Sequence, residues 1–375
     1  MAASSSVHFF IHLFIFSFYR IEREPNMSTT LPNDDRTAAL AQWLTTLPAE
    51  LGILHTSLSV ASADASFRRY FRVESSNAAH PTLIIMDAPP SHEDCKPFIH
   101  VAELFGRSGV HVTKILEQNL ELGFLLLTDL GNHTYLSVLE RDLNQADALY
   151  RDALTALIKL QTASTPDELP VYDRERLLNE MMLFPQWYLG VHKNFTLTDA
   201  QTAQLTHVFS TLLDNNLAQT QVWVHRDYHS RNLMLIDDNN PGILDFQDAV
   251  YGPITYDPVS LLRDAYIEWP EAQQIDWLVR YWEQARKAGL NVPTAFDEFY
   301  KDFEYMGLQR HLKVLGIFAR LFHRDGKSGY LKDLPLVLKY TRQVAARYRD
   351  FAPLLHILDA VAEESADTTQ VGYTF

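Results

Sequence analysis

His225-Arg-Asp-Tyr-His-Ser-Arg-Asn232, followed thirteen residues later by Asp245-Phe246, sets two carboxylates and a carboxamide within one short region of the chain. The spacing is H-x-D-x-x-x-x-N. Its flanks are apolar and β-rich: residues 222–224 before it, 233–236 after it, and 243–246 leading through the second acid. Phosphoryl transfer from a nucleotide needs few protein parts. One carboxylate orients the attacking hydroxyl and accepts its proton, and two oxygen ligands hold Mg²⁺ against the phosphates. Mg²⁺ favours hard oxygen donors, and Asp227, Asn232 and Asp245 are side chains of the right type. A loop between short strands can bring all three to one cleft. The competing reading makes Asp227 a turn cap and Asp245 a surface-loop residue. His225 is read as structural, holding the loop through a backbone hydrogen bond, and His229 likewise.

Outward from this loop the pattern is helical toward the C-terminus. Apolar residues recur at helical spacing over 146–160, 174–187, 199–213, 275–288, 297–324 and 336–355. Toward the N-terminus, residues 34–47 read as a helix with a capping candidate at its start. Strand-like runs follow near 58–61, 69–73 and 82–86, the last two separated by a polar turn. Residues 97–107 read as a helix with proline in its first turn, and 112–116 and 123–128 as two more strands. Leu130-Gly131-Asn132 breaks the pattern. The prediction is an α+β fold in two lobes: a small β-rich N-lobe over 27–130, and a larger, mainly helical C-lobe over 131–375 that carries the catalytic hairpin.

A chain of 375 residues suits two such lobes. Its 21 Phe, 17 Tyr and 6 Trp supply enough buriable surface to exclude a mainly disordered protein. A net charge of −15 argues against a generic nucleic-acid binder. The single cysteine, Cys95, excludes an internal disulfide and a multi-cysteine zinc site, and fits a reducing, cytoplasmic setting. Glycine is scarce, at 14 residues, so glycine-rich phosphate loops are not expected and any nucleotide site must be built in another way. Residues 7–19 form an uncharged apolar run, short of the about 20 residues a membrane span requires. The first positive charge, Arg20, follows that run, whereas an export signal places it before. Met27 is therefore read as the working start, residues 1–26 as a leader outside the functional chain, and no stable membrane anchor is expected.

The catalytic pattern with Asp245-Phe246 resembles the aminoglycoside phosphotransferase family, relatives of the protein and choline kinases. Longer strings are more particular: "HRDYHSRNLM" and "LDFQDAVYGPITYDPVSLLRDAY" in the catalytic region, "MDAPPSHEDCKPF" at 86–98 and "GLQRHLKVLGIFARL" at 307–321. They are similar to the anomeric sugar kinases of bacterial cell-wall recycling, which act on N-acetylmuramate and N-acetylglucosamine. The resemblance covers roughly residues 35–348. It implies a protein-kinase-like fold, ATP as co-substrate, Mg²⁺, and phosphorylation of the sugar at C1. It implies that Asp227 is the catalytic carboxylate and that Asn232 and Asp245 are the metal ligands. The segment 127–130, with Thr128 and Leu130, matches the hinge whose backbone binds adenine. Residues 64–72 take the place of the phosphate-covering hairpin, where the N–H groups of Ser66 and Phe67 can contact phosphate. One departure stands out. The family's third strand usually carries a lysine paired with a helix glutamate; here Met86 occupies that place, and the matching acid, Glu103, lacks its partner. Arg69 or Arg72 on the neighbouring strand can substitute, because guanidinium binds phosphate well.

Arg310, Lys313, Arg320 and Arg324 fall near one face of a helix, with Leu308, Leu312, Leu315 and Phe318 opposite. This reads first as a solvated basic face, and second as a set of cations facing the substrate. Arg310 and Lys313, with Arg263 and Asp264 shortly after the metal segment, are the substrate-binding candidates. Two other functional readings stay open: a kinase for a different small alcohol, such as an aminoglycoside, choline-like amine or other sugar, and a nucleotide-binding pseudokinase, which the missing lysine favours.

Overall fold

The computed structural model of the chain describes residues 31–63 and 67–370; the leader reading for 1–26 and the candidate Ser66 lie outside them. The chain divides into two compact units. Of the described residues, the first takes in those up to Pro97 together with Ile115–Asp129, and the second holds Phe98–Lys114 and those from Leu130 onward.

In the first unit, helix α1 (Asp35–Leu44) begins where the Asp34 carboxylate accepts the Thr37 N–H at 2.7 Å, satisfying one of the helix's open donors. Strands β1 (Ile53–Ala63), β2 (Arg69–Ser75) and β3 (Thr82–Asp87) follow. The chain then passes through α2 (Lys96–Arg107) and β4 (His111–Val112), which belong to the second unit, and returns as β5 (Ile115–Asn119) and β6 (Phe124–Thr128). The five strands form an antiparallel sheet in the order β1-β2-β3-β6-β5. Side chains alternate across a sheet. Phe71, Val73, Leu83, Ile85, Phe124 and Leu126 pack with Leu40, Trp43 and Leu44 of α1 as one core. That alternation puts Arg69 on the α1 face, and Arg72 and Met86 on the opposite one.

The sequence-based N-lobe, 27–130, takes in Phe98–Lys114, which belong to the second unit. The reason lies in the apolar face of α2. Phe98 and Phe105 lie 4.8 Å and 6.1 Å, ring to ring, from Phe246, and Phe105 also stacks near Trp223, so the helix completes the core of the second unit.

That unit continues with α3 (Tyr135–Leu139), α4 (Ala146–Thr162), α5 (Arg174–Met181), a π-helical segment (Phe184–His192) and α6 (Asp199–Ala218). Strands β7 (Gln221–Val224), β8 (Leu233–Met234), β9 (Gly242–Ile243) and β10 (Val250–Pro253) interrupt the helices, which resume as α7 (Tyr256–Leu262), α8 (Glu271–Lys287), α9 (Phe296–His323), α10 (Leu334–Arg347) and α11 (Ala352–Gln370). β7 pairs with β10, and β4-β9-β8 form a second small sheet. Two expected helices are broken. The 174–187 helix stops at Met181, and Pro185, which cannot donate a helical hydrogen bond, opens the π-helical segment. The 336–355 helix divides at Tyr348, whose extended backbone (φ −116°, ψ 126°) sends its hydroxyl to Glu304 at 2.7 Å and Phe351 into the core.

The basic stripe on α9 is not a solvated face. From Phe303 to Ala319 every residue of the helix is buried, the mark of a central helix rather than a surface one. The π-helical segment, α6, α7 and α10 pack around it. Gly316 permits the closest approach: a Cβ there would lie 2.3 Å from the Leu183 carbonyl carbon. Arg310 and Lys313 are 3% and 2% exposed, and Arg324, beyond the packed region, is exposed. Among the described residues no helix is long and apolar enough to cross a membrane.

Candidate active site

β7 delivers the chain into the loop 225–232, and the β8–β9 hairpin returns it to Asp245, so both halves of the motif are fixed to small paired strands. The loop is cross-braced. The Leu244 N–H donates to Asn232 O at 2.9 Å, and the Asn232 and His229 N–H groups close turns onto His229 O and Asp227 O. Asp227, Asn232 and Asp245 are all buried, at 5%, 0% and 4% exposure. The Asn232 Nδ2 group donates to Asp227 O at 3.0 Å and to Asp245 Oδ2 at 3.3 Å, and Gln247 Nε2 donates to Asp245 Oδ1 at 2.8 Å. Both Asn232 donors being engaged, its Oδ1 is left buried with no partner. A buried acceptor without a donor is costly. Beside a carboxylate it is the donor set a hard cation takes, so the residues fit a Mg²⁺ ion.

Both ring nitrogens of His225 are engaged by backbone groups. Its Nε2–H donates to Leu244 O at 2.8 Å and its Nδ1 accepts the Asp227 N–H at 3.2 Å. Burial holds the ring's pKa down at about 4, against the opposing pull of the Asp227 charge, so the imidazole is neutral.

Two positive φ angles mark the site: Arg226 in the loop at 77° and Asp245 after the hairpin at 62°. Each costs a non-glycine residue about 1–3 kcal/mol and needs outside support. Asp257 at the start of α7 supplies it for Arg226, accepting the N–H groups of His225 and Arg226 at 2.7 and 3.0 Å. Burial raises the Asp257 carboxyl to about 7, with those two bonds opposing. Asp264 accepts the Ser230 N–H at 3.0 Å, the Ser230 hydroxyl, and the Tyr266 N–H at 3.1 Å. The Arg226 guanidinium reaches Glu180 at 2.5 Å, and Lys313 Nζ reaches the same carboxylate at 3.3 Å and the Tyr256 hydroxyl at 2.7 Å. Burial works to raise Glu180, but the Lys313 and Arg226 charges outweigh it and hold the carboxyl below its ordinary value.

The substrate candidates separate here. Lys313 is tied to Glu180. Arg263 is bound to Glu304 at 3.0 Å and Gln274 at 3.2 Å, and Asp264 to Ser230. Arg310 has none of these attachments. In the first unit, Arg69 bridges Asp34 and Asp87, while Arg72 meets Asp129 at 2.6 Å. Thr128 and Leu130 are buried, and Phe67 is half exposed with its ring 4.3 Å from His92. Glu103 is exposed. Sequence reading passed over Asp257, Glu180 and Glu304. Asp257 lies inside the quoted string "ITYDPVSLL", where an acid at the start of a helix was the available signal; Glu180 and Glu304 carry no local one.

Residues 57–298 match the phosphotransferase enzyme family. The chain is 47% identical over 343 residues to a protein of Neisseria meningitidis serogroup B named N-acetylmuramate/N-acetylglucosamine kinase, an overlap of 91% of this chain and 99% of that one. It is 50% identical over 298 residues to a Pseudomonas putida protein of the same name, covering 80% of this chain and 86% of that one. Among solved structures, a choline/ethanolamine kinase family protein from Mesorhizobium loti is similar over 85% of this chain and 97% of that one (TM-score 0.56, 14% identity). An ADP-bound aminoglycoside phosphotransferase is similar over 84% and 99% (TM-score 0.53, 14% identity). These likenesses give the fold, an α+β kinase-like one.

Proposed function

The chain belongs to the phosphotransferase enzyme family, and on that premise we propose that it uses ATP and Mg²⁺ to phosphorylate an amino sugar, N-acetylmuramate or N-acetylglucosamine, at the anomeric C1 hydroxyl. The unsatisfied Asn232 Oδ1 beside Asp245, next to the buried Asp227, is the observation that carries the chemistry. The names of relatives 44–50% identical support the substrate pair. Asp227 orients the C1 hydroxyl and takes its proton. That hydroxyl is more acidic than an ordinary alcohol, which eases attack. Asn232 and Asp245 would hold Mg²⁺, which when bound neutralises charge on the phosphates. Neutral His225 fixes the Asp227 backbone, and Asp257 and Asp264 hold the loop in its strained form, so little reorganisation is left for the moment of reaction. For the nucleotide, we assign the backbone at Thr128 and Leu130 to adenine and the N–H groups of Ser66 and Phe67 to phosphate. Arg72, on the Met86 face of the sheet, is the better stand-in for the missing lysine; Arg69 faces α1 and braces Asp34 and Asp87. A single cysteine and an ATP requirement fit a cytoplasmic role in cell-wall recycling.

A panel of acceptors with ATP and Mg²⁺, products read by mass and phosphorus NMR, tests this. A C1-phosphate of N-acetylmuramate or N-acetylglucosamine supports it. Turnover only with an aminoglycoside, a choline-like amine or another sugar rejects the substrate, and nucleotide binding without transfer to any acceptor rejects the activity.

A further inference from the structure

Arg310 is the cation of α9 left uncommitted within the packed core. Its side chain is 3% exposed, and Nε and Nη1 are buried with no hydrogen-bond partner. Its neighbours show the contrast: Lys313 pairs with Glu180 and Arg263 with Glu304. Two carboxylates, Asp257 and Asp264, stand within electrostatic reach of Arg310. Both spend their oxygens on the catalytic loop. A buried guanidinium without an acceptor is unfavourable, and its natural complement is a planar anion that accepts two parallel N–H bonds.

The surroundings show which side of the loop this is. Arg310 acts electrostatically on His229, whose ring meets Tyr266 edge-on at 5.3 Å. Asp264 is a neighbour common to Tyr266 and Arg310. The Tyr266 hydroxyl is itself buried without a partner. Two orphaned donors therefore share the neighbours His229 and Asp264, at the Ser230 part of the loop. The metal-type oxygens of Asn232 and Asp245 follow two and fifteen positions further along the chain. An anion held here is either the acceptor's carboxylate or a nucleotide phosphate, and the two give different results in the test below.

We propose that Arg310, with the Tyr266 hydroxyl as a second donor, binds a carboxylate of the acceptor, so that the site selects an acidic sugar ether such as N-acetylmuramate over the neutral N-acetylglucosamine. The proposal rests on the amino-sugar kinase reading and names the residues that choose between its two substrates.

The test compares N-acetylmuramate with its carboxamide, which keeps the shape and removes the charge. In the wild-type enzyme kcat/KM is higher for the acid by about tenfold or more, the worth of one hydrogen-bonded ion pair. Arg310→Met brings that ratio close to one, Arg310→Lys restores part of it, and the KM for ATP does not follow. A purely structural Arg310 would lower both substrates together and keep the ratio. An Arg310→Met change confined to the KM for ATP would assign the anion to a nucleotide phosphate. Either result overturns the proposal. So does a wild-type enzyme that treats acid and amide alike, an arm that stands even if the variant does not fold. Absence of turnover with both sugars overturns the parent reading, and this one with it.

Discussion

His225 gives a prediction whose size follows from the structure. The ring is neutral, with Nε2–H on the Leu244 carbonyl and Nδ1 accepting the Asp227 N–H, so a second proton would face a donor. Burial is the main reason its pKa is lowered to about 4, whereas an unfolded chain leaves a histidine at about 6.5. Between those values the unfolded state binds more protons than the folded one. The contribution of His225 to stability is therefore fully present above pH 6.5 and is lost as pH falls toward 4. The gap of about 2.5 pK units is worth about 3 kcal/mol, of which about 2 kcal/mol is gone by pH 5. The assay is urea unfolding of the wild type and His225→Asn from pH 7.5 to 5. At pH 7.5 the variant is less stable by about 1–3 kcal/mol, because the Leu244 carbonyl loses its donor. At pH 5 the two curves have approached each other by about 2 kcal/mol. Buried His229 and His311, also lowered by burial, titrate in both proteins and cancel in the difference. Parallel stability curves across this range would refute the reasoning.

Gly316→Ala pushes a methyl group into the Leu183 backbone, 2.3 Å from its carbonyl carbon, and lowers unfolding stability by about 3 kcal/mol; a loss below about 1 kcal/mol in denaturant titration would show that the π-helical segment yields freely. Glu180→Gln leaves Arg226 and Lys313 buried around a neutral amide, with an expected loss of about 3–5 kcal/mol and a lower kcat, since Arg226 adjoins Asp227; wild-type stability and rate would contradict the network. Arg72→Ala raises the KM for ATP by about tenfold, while Arg69→Ala chiefly lowers the melting temperature. Equal effects of the two would remove the distinction between the sheet faces.

The clustering of the candidate site was legible because it is local: the acid, the carboxamide and the second acid lie within 19 positions, between runs that form strands. The alternation of β2, β3 and β6 and the length of α9 were legible for the same reason, as each is a pattern along one segment. The counter-charges were not. Glu180, Asp257 and Glu304 act on residues 31 to 133 positions away, and apart from the helix start that holds Asp257 nothing in their own neighbourhoods marks them. The stripe on α9 misled because periodicity shows where cations lie around a helix axis but not what packs against them. With neighbours on several sides and Gly316 admitting Leu183, both faces became interior, and an apparent solvated face became one paired lysine and one arginine for which we propose a ligand.

The central claim, that Asp227 takes the proton of a sugar hydroxyl, is tested most directly by Asp227→Asn. The measurement is turnover of ATP and Mg²⁺ with N-acetylmuramate, product followed as the sugar 1-phosphate. The variant is expected to fold with the melting temperature of the wild type, to keep its KM for ATP, and to lose about 10²–10⁴-fold in kcat. Turnover by a pure preparation of Asp227→Asn at the wild-type rate would contradict the account.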